Sequence, residues 1–232
     1  MRLVKVLANL GYGSRKEMQQ AIRNGWVTDM QGAPIKADSQ LPHEEILFDD
    51  EPLDPAQGSV LLLNKPLGVT CSKKDPGKLV YDLFPDRFKL RKPAISTIGR
   101  LDKETSGLLL LTDDGQYLHK VISPKTETPK FYEVTLDRPL SGTEATLFAS
   151  GTMMLEGEDK PLKQAELTIT GEHTATLVLH EGRYHQVRRM FAATGNHVTD
   201  LHRSRIGNLT LGDLKPGEWK VLSEDEKALV IG

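Results

Sequence analysis

The sequence predicts an α+β protein in two parts. A small, basic, partly helical amino-terminal domain spans residues 1–57, and a larger domain over residues 58–232 is built on a mixed, mainly antiparallel β-sheet. Three observations predict this. Beyond residue 60, strand-like segments mostly follow one another without regular crossover helices, which disfavours a doubly wound parallel sheet. Residues 54–59, Asp-Pro-Ala-Gln-Gly-Ser, combine two backbone breakers with small residues and no apolar anchor, the composition of a linker about which the first domain can move. The 232 residues are 38% apolar and 27% charged, a globular composition, and the part after the linker is long enough for its own core.

The elements follow in order. Leu3, Val6, Leu7 and Leu10 repeat at helical spacing. Ser14-Arg15-Lys16-Glu17 reads as a capping box, in which the Ser14 hydroxyl accepts from the Glu17 backbone and Glu17 reaches back. That helix runs to about Asn24, and Gly25 supplies a left-handed stop. Trp26-Val27-Thr28 reads as a strand and Gln31-Gly32 as a turn. Further strands are expected at 60–63, 108–112, 131–136, 165–170 and 174–179, and helices at 116–122, 142–150, 186–194 and 224–230.

The net charge of -2 and the isoelectric point near 6.4 argue against a uniformly cationic surface, but the charge is segregated. Residues 1–25 hold five basic residues (Arg2, Lys5, Arg15, Lys16, Arg23) against Glu17, whereas residues 26–57 hold Lys36 against eight acids. Such segregation can leave a cationic face; solvated surface charge accounts for the first 25 residues equally well. The single cysteine, Cys71, cannot form an internal disulfide and fits a reducing cytoplasm. Lys5 interrupts the only stretch that could start a secretory signal, and no apolar run exceeds four residues, so no membrane span is expected.

Several chemistries lack a site. Gly11-Tyr12-Gly13 has no third glycine at dinucleotide spacing, Gly77-Lys78 is followed by Leu79 rather than a hydroxyl residue, and no Gly-x-Ser-x-Gly elbow exists. The seven histidines show no metal-type spacing; His197 and His202 are five apart.

Three segments remain. In Gly99-Arg100-Leu101-Asp102-Lys103-Glu104-Thr105-Ser106-Gly107-Leu108 an acid sits in a polar turn just before a four-leucine strand, a natural place for a catalytic carboxylate. An isolated aspartate there would more simply cap its own turn through Thr105-Ser106. In Lys130-Phe131-Tyr132-Glu133-Val134-Thr135-Leu136, Tyr132 shares a strand face with Val134 and Leu136; it can be core, or it can stack on a base and hydrogen-bond. In Glu181-Gly182-Arg183-Tyr184-His185-Gln186-Val187-Arg188-Arg189-Met190-Phe191, the apolar residues recur at helical spacing and turn Arg188 and Arg189 away from the core. Residues 183–205 carry five arginines against Asp200.

These strings, in this order, resemble the motifs of the pseudouridine synthases that modify RNA. The first 50 or so residues resemble a small RNA-binding domain named after a ribosomal small-subunit protein (S-four-like). The tail over residues 190–207 is most similar to the subfamily members that act on small-subunit RNA, while residues 29–32 and 73–92 match less closely. The resemblance implies a catalytic domain of pseudouridine synthase type that isomerises a uridine in 16S ribosomal RNA, within a partly assembled small subunit. It implies that Asp102 is the catalytic aspartate, Tyr132 the ring packed on the target base, and Arg188 the basic partner of Asp102. Arg100, Leu101, Lys130, Arg183, His185, Gln186, Arg189, Arg203 and Arg205 are expected to contact the RNA, with Arg2, Arg15 and Lys16 from the first domain. A cytoplasmic monomer without cofactor or metal is expected. The alternatives are action on 23S rRNA, or a non-catalytic RNA-binding assembly factor; the latter would not require Asp102, Tyr132 and Arg188 to converge.

Overall fold

The computed structural model describes residues 2–72, 74–123 and 126–231. Met1, Lys73, Pro124, Lys125 and Gly232 lie outside the described residues, including the first residue of the amino-terminal run and the edge of the loosely matching stretch at Lys73.

The amino-terminal part has a core of its own. Helices α1 (Leu3–Leu10) and α2 (Arg15–Arg23) pack through Leu3, Leu7, Met18, Ala21 and Ile22 on a small antiparallel sheet of β1 (Val27–Asp29), β2 (Ile46–Phe48) and β3 (Glu51–Pro52). The capping box forms as the sequence predicts: Glu17 N–H donates to Ser14 Oγ at 3.2 Å and Ser14 N–H to Glu17 Oε2 at 2.6 Å. Gly25 ends the helix region at φ 76°.

The linker is not free, contrary to the mobility expected of its composition. Asp54 is buried and forms a two-pronged ion pair with Arg87, while its backbone N–H donates to the Tyr12 hydroxyl at 2.9 Å. Arg91 donates to Pro55 O at 2.8 Å and pairs at 3.0 Å with Asp113, both side chains buried. Gly58 N–H donates to Asp113 at 2.7 Å. At the end of α1, a Cβ on Gly11 would stand 2.2 Å from Arg87 O, so the two parts touch backbone to backbone. A breaker-rich sequence sets where the chain bends; here the ion pairs of Arg87 with buried Asp54 and of buried Arg91 with the buried Asp113 side chain anchor it to the larger part.

Among the described residues the larger part holds a nine-stranded sheet. Its strands are β4 (Val60–Lys65), β5 (Ser96–Ile98), β6 (Ser106–Thr112), β7 (Lys130–Leu136), β8 (Glu166–Ile169), β9 (Thr174–Leu179), β10 (Val198–Ile206), β11 (Leu209–Thr210) and β12 (Trp219–Val221). The order is β12-β4-β6-β10-β7-β9-β8, with β5 on β6 and β11 on β10. All pairs are antiparallel except β6 with β10. Four helices accompany it: α3 (Gly115–Ile122), α4 (Thr143–Ala149), α5 (Gln186–Ala193) and α6 (Glu224–Ile231).

Two-sided burial explains why β4 and β6 read as unbroken apolar runs. Leu61, Leu63, Leu109 and Leu111 face a core closed by α4 and α5, whereas Val60, Leu62, Leu108 and Leu110 face a second core closed by α3 and α6. The four leucines of β6 are wholly buried, each worth about 1.5–3 kcal/mol relative to exposure. Central β10 escaped the sequence reading. The parallel β6–β10 pair sets Gly107 beside Arg203, and the β10–β7 pair sets Arg203 opposite Tyr132. The loop before β6, which carries Asp102, therefore sits at the middle of the sheet.

Candidate active site

Asp102 lies in the connection between β5 and β6. Its main-chain carbonyl accepts from Thr105 N–H at 3.1 Å and closes the turn. The carboxylate takes no hydrogen bond from that turn. Its nearest polar partner is the His185 ring, Nε2 to Oδ1 3.4 Å, and its side chain is 34% exposed. A carboxylate not consumed by its own turn is available as a nucleophile or base.

The loop is held from beneath and behind. Lys65, wholly buried at the end of β4, donates to Thr105 O at 2.7 Å and Pro66 O at 3.0 Å. Burial lowers its pKa, opposed chiefly by Cys71, Asp102 and Glu104. Gly68 N–H donates to Lys103 O at 2.9 Å, and Leu101 N–H to Cys71 Sγ at 3.4 Å. Burial pushes the Cys71 thiol up, which keeps it protonated and unreactive. Sequence reasoning missed Lys65; the signal was a lysine closing a strand that opens with four apolar residues.

Arg188 does not pair with Asp102. The two groups form no ion pair within 4 Å; the guanidinium instead donates to Glu104 O at 2.6 Å and Val198 O at 2.9 Å. Two main-chain carbonyls, one in the Asp102 loop and one at the start of β10, match the planar fork of Arg. Arg188 thus ties α5 to the loop. Replacing Arg188 with Met is expected to cut turnover by about 10²-fold through misplacement of the loop, with RNA affinity little changed; single-turnover rates alongside filter binding would check it.

The remaining expected contacts divide. Arg100 is exposed at the rim of a cleft and Leu101 is buried in its wall. Lys130, Tyr132 and Arg203 line the same cleft, which has a volume of about 560 Å³, enough for one nucleotide. Tyr132 is 8% exposed, with its hydroxyl 3.5 Å from Arg203 Nη1. His185 holds a strained φ of 48° and stacks on exposed Tyr184, ring centroids 3.9 Å apart. Arg183, Gln186 and Arg189 also sit at this end, but their polar groups are engaged within the protein. Arg183 binds Glu158, Glu181 and two carbonyls; Arg189 binds Glu158 and Glu156 O; Gln186 bridges Arg183 N–H and Glu181. Together they clamp the 156–161 loop to α5. Arg205 lies over the Phe131 ring, 3.4 Å to its centroid, and does not line the cleft. Arg2, Arg15 and Lys16 are exposed on the amino-terminal part, and none forms an ion pair among the described residues.

A carboxylate hung from the centre of a mixed sheet, over a nucleotide-sized cleft with an aromatic wall, fits an enzyme that remakes a base within RNA. Residues 59–193 match the RNA pseudouridylate synthase family, and the chain belongs to that family. Over its whole length it is 41% identical to ribosomal small subunit pseudouridine synthase A of Escherichia coli strain K12, with 100% of both chains covered. It is 42% identical to the protein of the same name from Haemophilus influenzae, over 97% of each. A crystal structure of a pseudouridylate synthase superposes with a TM-score of 0.70 at 38% identity, covering 100% of both chains. The family and the α+β fold expected from the sequence are thereby borne out. No helix among the described residues is long and apolar enough to cross a membrane.

Proposed function

We propose that this protein converts a uridine of 16S ribosomal RNA to pseudouridine, acting in the cytoplasm as a monomer on a partly assembled small subunit, with Asp102 as the catalytic carboxylate. The observation that carries the chemistry is the Asp102 carboxylate, left free by its own turn and set beside His185, in the cleft shared with Tyr132. The full-length similarity to proteins named for the ribosomal small subunit supports the substrate.

The target uridine must first leave its stack, at a cost of a few kcal/mol. Phosphate contacts from exposed cations, Arg100 at the rim and Arg2, Arg15 and Lys16 on residues 1–57, offset that cost. Tyr132 then presents a ring face, worth about 1–3 kcal/mol of stacking. Asp102 either attacks the ribose C1′, attacks the base, or takes a proton from the sugar. By each route the C1′–N1 bond breaks, the base turns, and a C1′–C5 bond forms.

The test is to incubate purified protein with 16S transcript, 23S transcript and partly assembled small subunits, and to map pseudouridine by mass spectrometry. A single new pseudouridine in 16S rRNA alone is expected; modification of 23S rRNA instead would overturn the substrate reading. For the amino-terminal cations, Arg15→Glu with Lys16→Glu in the full chain should weaken RNA binding and reduce the slope of log K against log[salt] by about 2. An unaltered slope would remove this surface from the RNA interface.

A further inference from the structure

Six buried side-chain polar atoms lack a hydrogen-bond partner among the described residues, and three of them, Thr105 Oγ1, Thr128 Oγ1 and Arg203 Nη2, belong to residues lining the Asp102 cleft. Buried polar groups are nearly always satisfied, so a concentration of orphans in one cleft marks a surface built for a ligand. The cations nearby behave differently from those around them. Arg183, Arg188 and Arg189 are engaged by protein acceptors. Arg203, 2% exposed, gives Nε to Leu108 O at 2.8 Å and has no acidic partner; Lys130 gives Nζ to Thr128 O at 3.0 Å, leaving two N–H groups over.

We propose that Arg203, Lys130 and Thr105 form a carbonyl pocket: they hold the uracil oxygens of the extruded nucleotide and carry the negative charge the ring gathers during isomerisation. This rests on the reading of the cleft as the uridine site. A phosphate is the wrong ligand for these groups. They lie inside the cleft beside the Tyr132 ring, where the base enters, while the phosphates of a continuous strand stay at the rim.

The charge follows from the bonds. If Asp102 attacks C1′ or removes a sugar proton, the C1′–N1 electron pair departs with the base and spreads over O2 and O4. If it adds to C6, the ring electrons move to O4. Rejoining through C5 then forms the C1′–C5 bond, and the proton lost from C5 is matched by one gained at N1, so no co-reactant is needed. Fixed cations and a hydroxyl aimed at those oxygens act only as charge develops, the arrangement that lowers a barrier most. Burial, with Arg203 from β10 and Lys163 close by, lowers the Lys130 pKa to about 8. Glu127, His180 and Glu181 line the same cleft, and none forms an ion pair with Lys130 within 4 Å. Lys130 is therefore charged at neutral pH and loses its proton above about 8.

The experiment is the pH profile of single-turnover conversion of a substrate transcript by wild type, Lys130→Met, Lys130→Arg, Arg203→Lys and Asp102→Asn, with RNA affinity and circular dichroism measured for each. Lys130→Met is expected to lower the rate by about 10²–10³-fold at unchanged affinity. Lys130→Arg should retain activity and move the alkaline fall of the wild type upward, because Arg stays charged. Arg203→Lys, which lacks Nη2, should lower the rate with affinity intact; if it fails to fold, the Lys130 pair decides. A Lys130→Met rate equal to wild type, or an alkaline limb that Lys130→Arg leaves in place, overturns the carbonyl pocket while an inactive Asp102→Asn leaves the uridine reading standing. An active Asp102→Asn overturns the uridine reading itself.

Discussion

Asp102→Asn is expected to lower single-turnover conversion of uridine by on the order of 10²–10⁴-fold while leaving the fold and RNA affinity intact. The substitution keeps the shape of the side chain and removes its charge. Little structural cost should follow, because the turn is closed by the Asp102 main chain and the loop is held by Lys65, Gly68 and Arg188, not by the carboxylate. Only the 3.4 Å contact with His185 is altered. Rapid-quench conversion of a transcript, alongside filter binding and thermal melting, separates these effects. Equal losses in rate and melting temperature would reassign Asp102 to structure.

Gly107→Ala is expected to be among the most damaging single methyl additions to the sheet. Gly107 adopts φ 105°, and a Cβ there would stand 2.3 Å from Arg203 O and 2.8 Å from Arg203 N. Backbone strain and displacement of β10 each cost about 1–3 kcal/mol, so a loss of about 2–6 kcal/mol is expected. At about 2–4 °C per kcal/mol for a chain of this size, the melting temperature should fall by roughly 4–24 °C. The consequence reaches the site, since Gly107 pairs with Lys65 on one side and Arg203 on the other. Conversion measured well below the melting point should therefore fall as well. A variant that melts as wild type does would mean that β6 and β10 are not held as closely as described.

The sequence carried the local elements well, because local physics fixes them. The Ser14–Glu17 box, the Gly25 stop and the leucine runs of β4 and β6 each signal their own structure. β10 did not, for a physical reason. Its register shifts twice, between Val198 and Asp200 and between Arg203 and Arg205, so the period of two is broken, and it buries an arginine where a core strand should read apolar. Asp102 and Tyr132 line one cleft, as the resemblance of their motifs implies; taken alone, the loop acid reads as a turn cap and the strand tyrosine as core. The partners of the arginines were not legible. Whether Arg188 meets a carboxylate or two carbonyls, and whether Arg183 and Arg189 meet RNA or the 156–161 loop, depends on contacts between residues far apart in sequence. The same holds for Asp54, whose breaker-rich surroundings suggested a hinge until Arg87 proved to lock it.

The central claim is that the Asp102 cleft makes pseudouridine in small-subunit ribosomal RNA. Its most direct test is a pseudouridine map of ribosomal RNA from cells lacking this protein, complemented with the wild type or with Asp102→Asn. The account predicts one pseudouridine missing from 16S rRNA in the null strain, restored by the wild type and not by Asp102→Asn. An unchanged 16S map, or full restoration by Asp102→Asn, would contradict it.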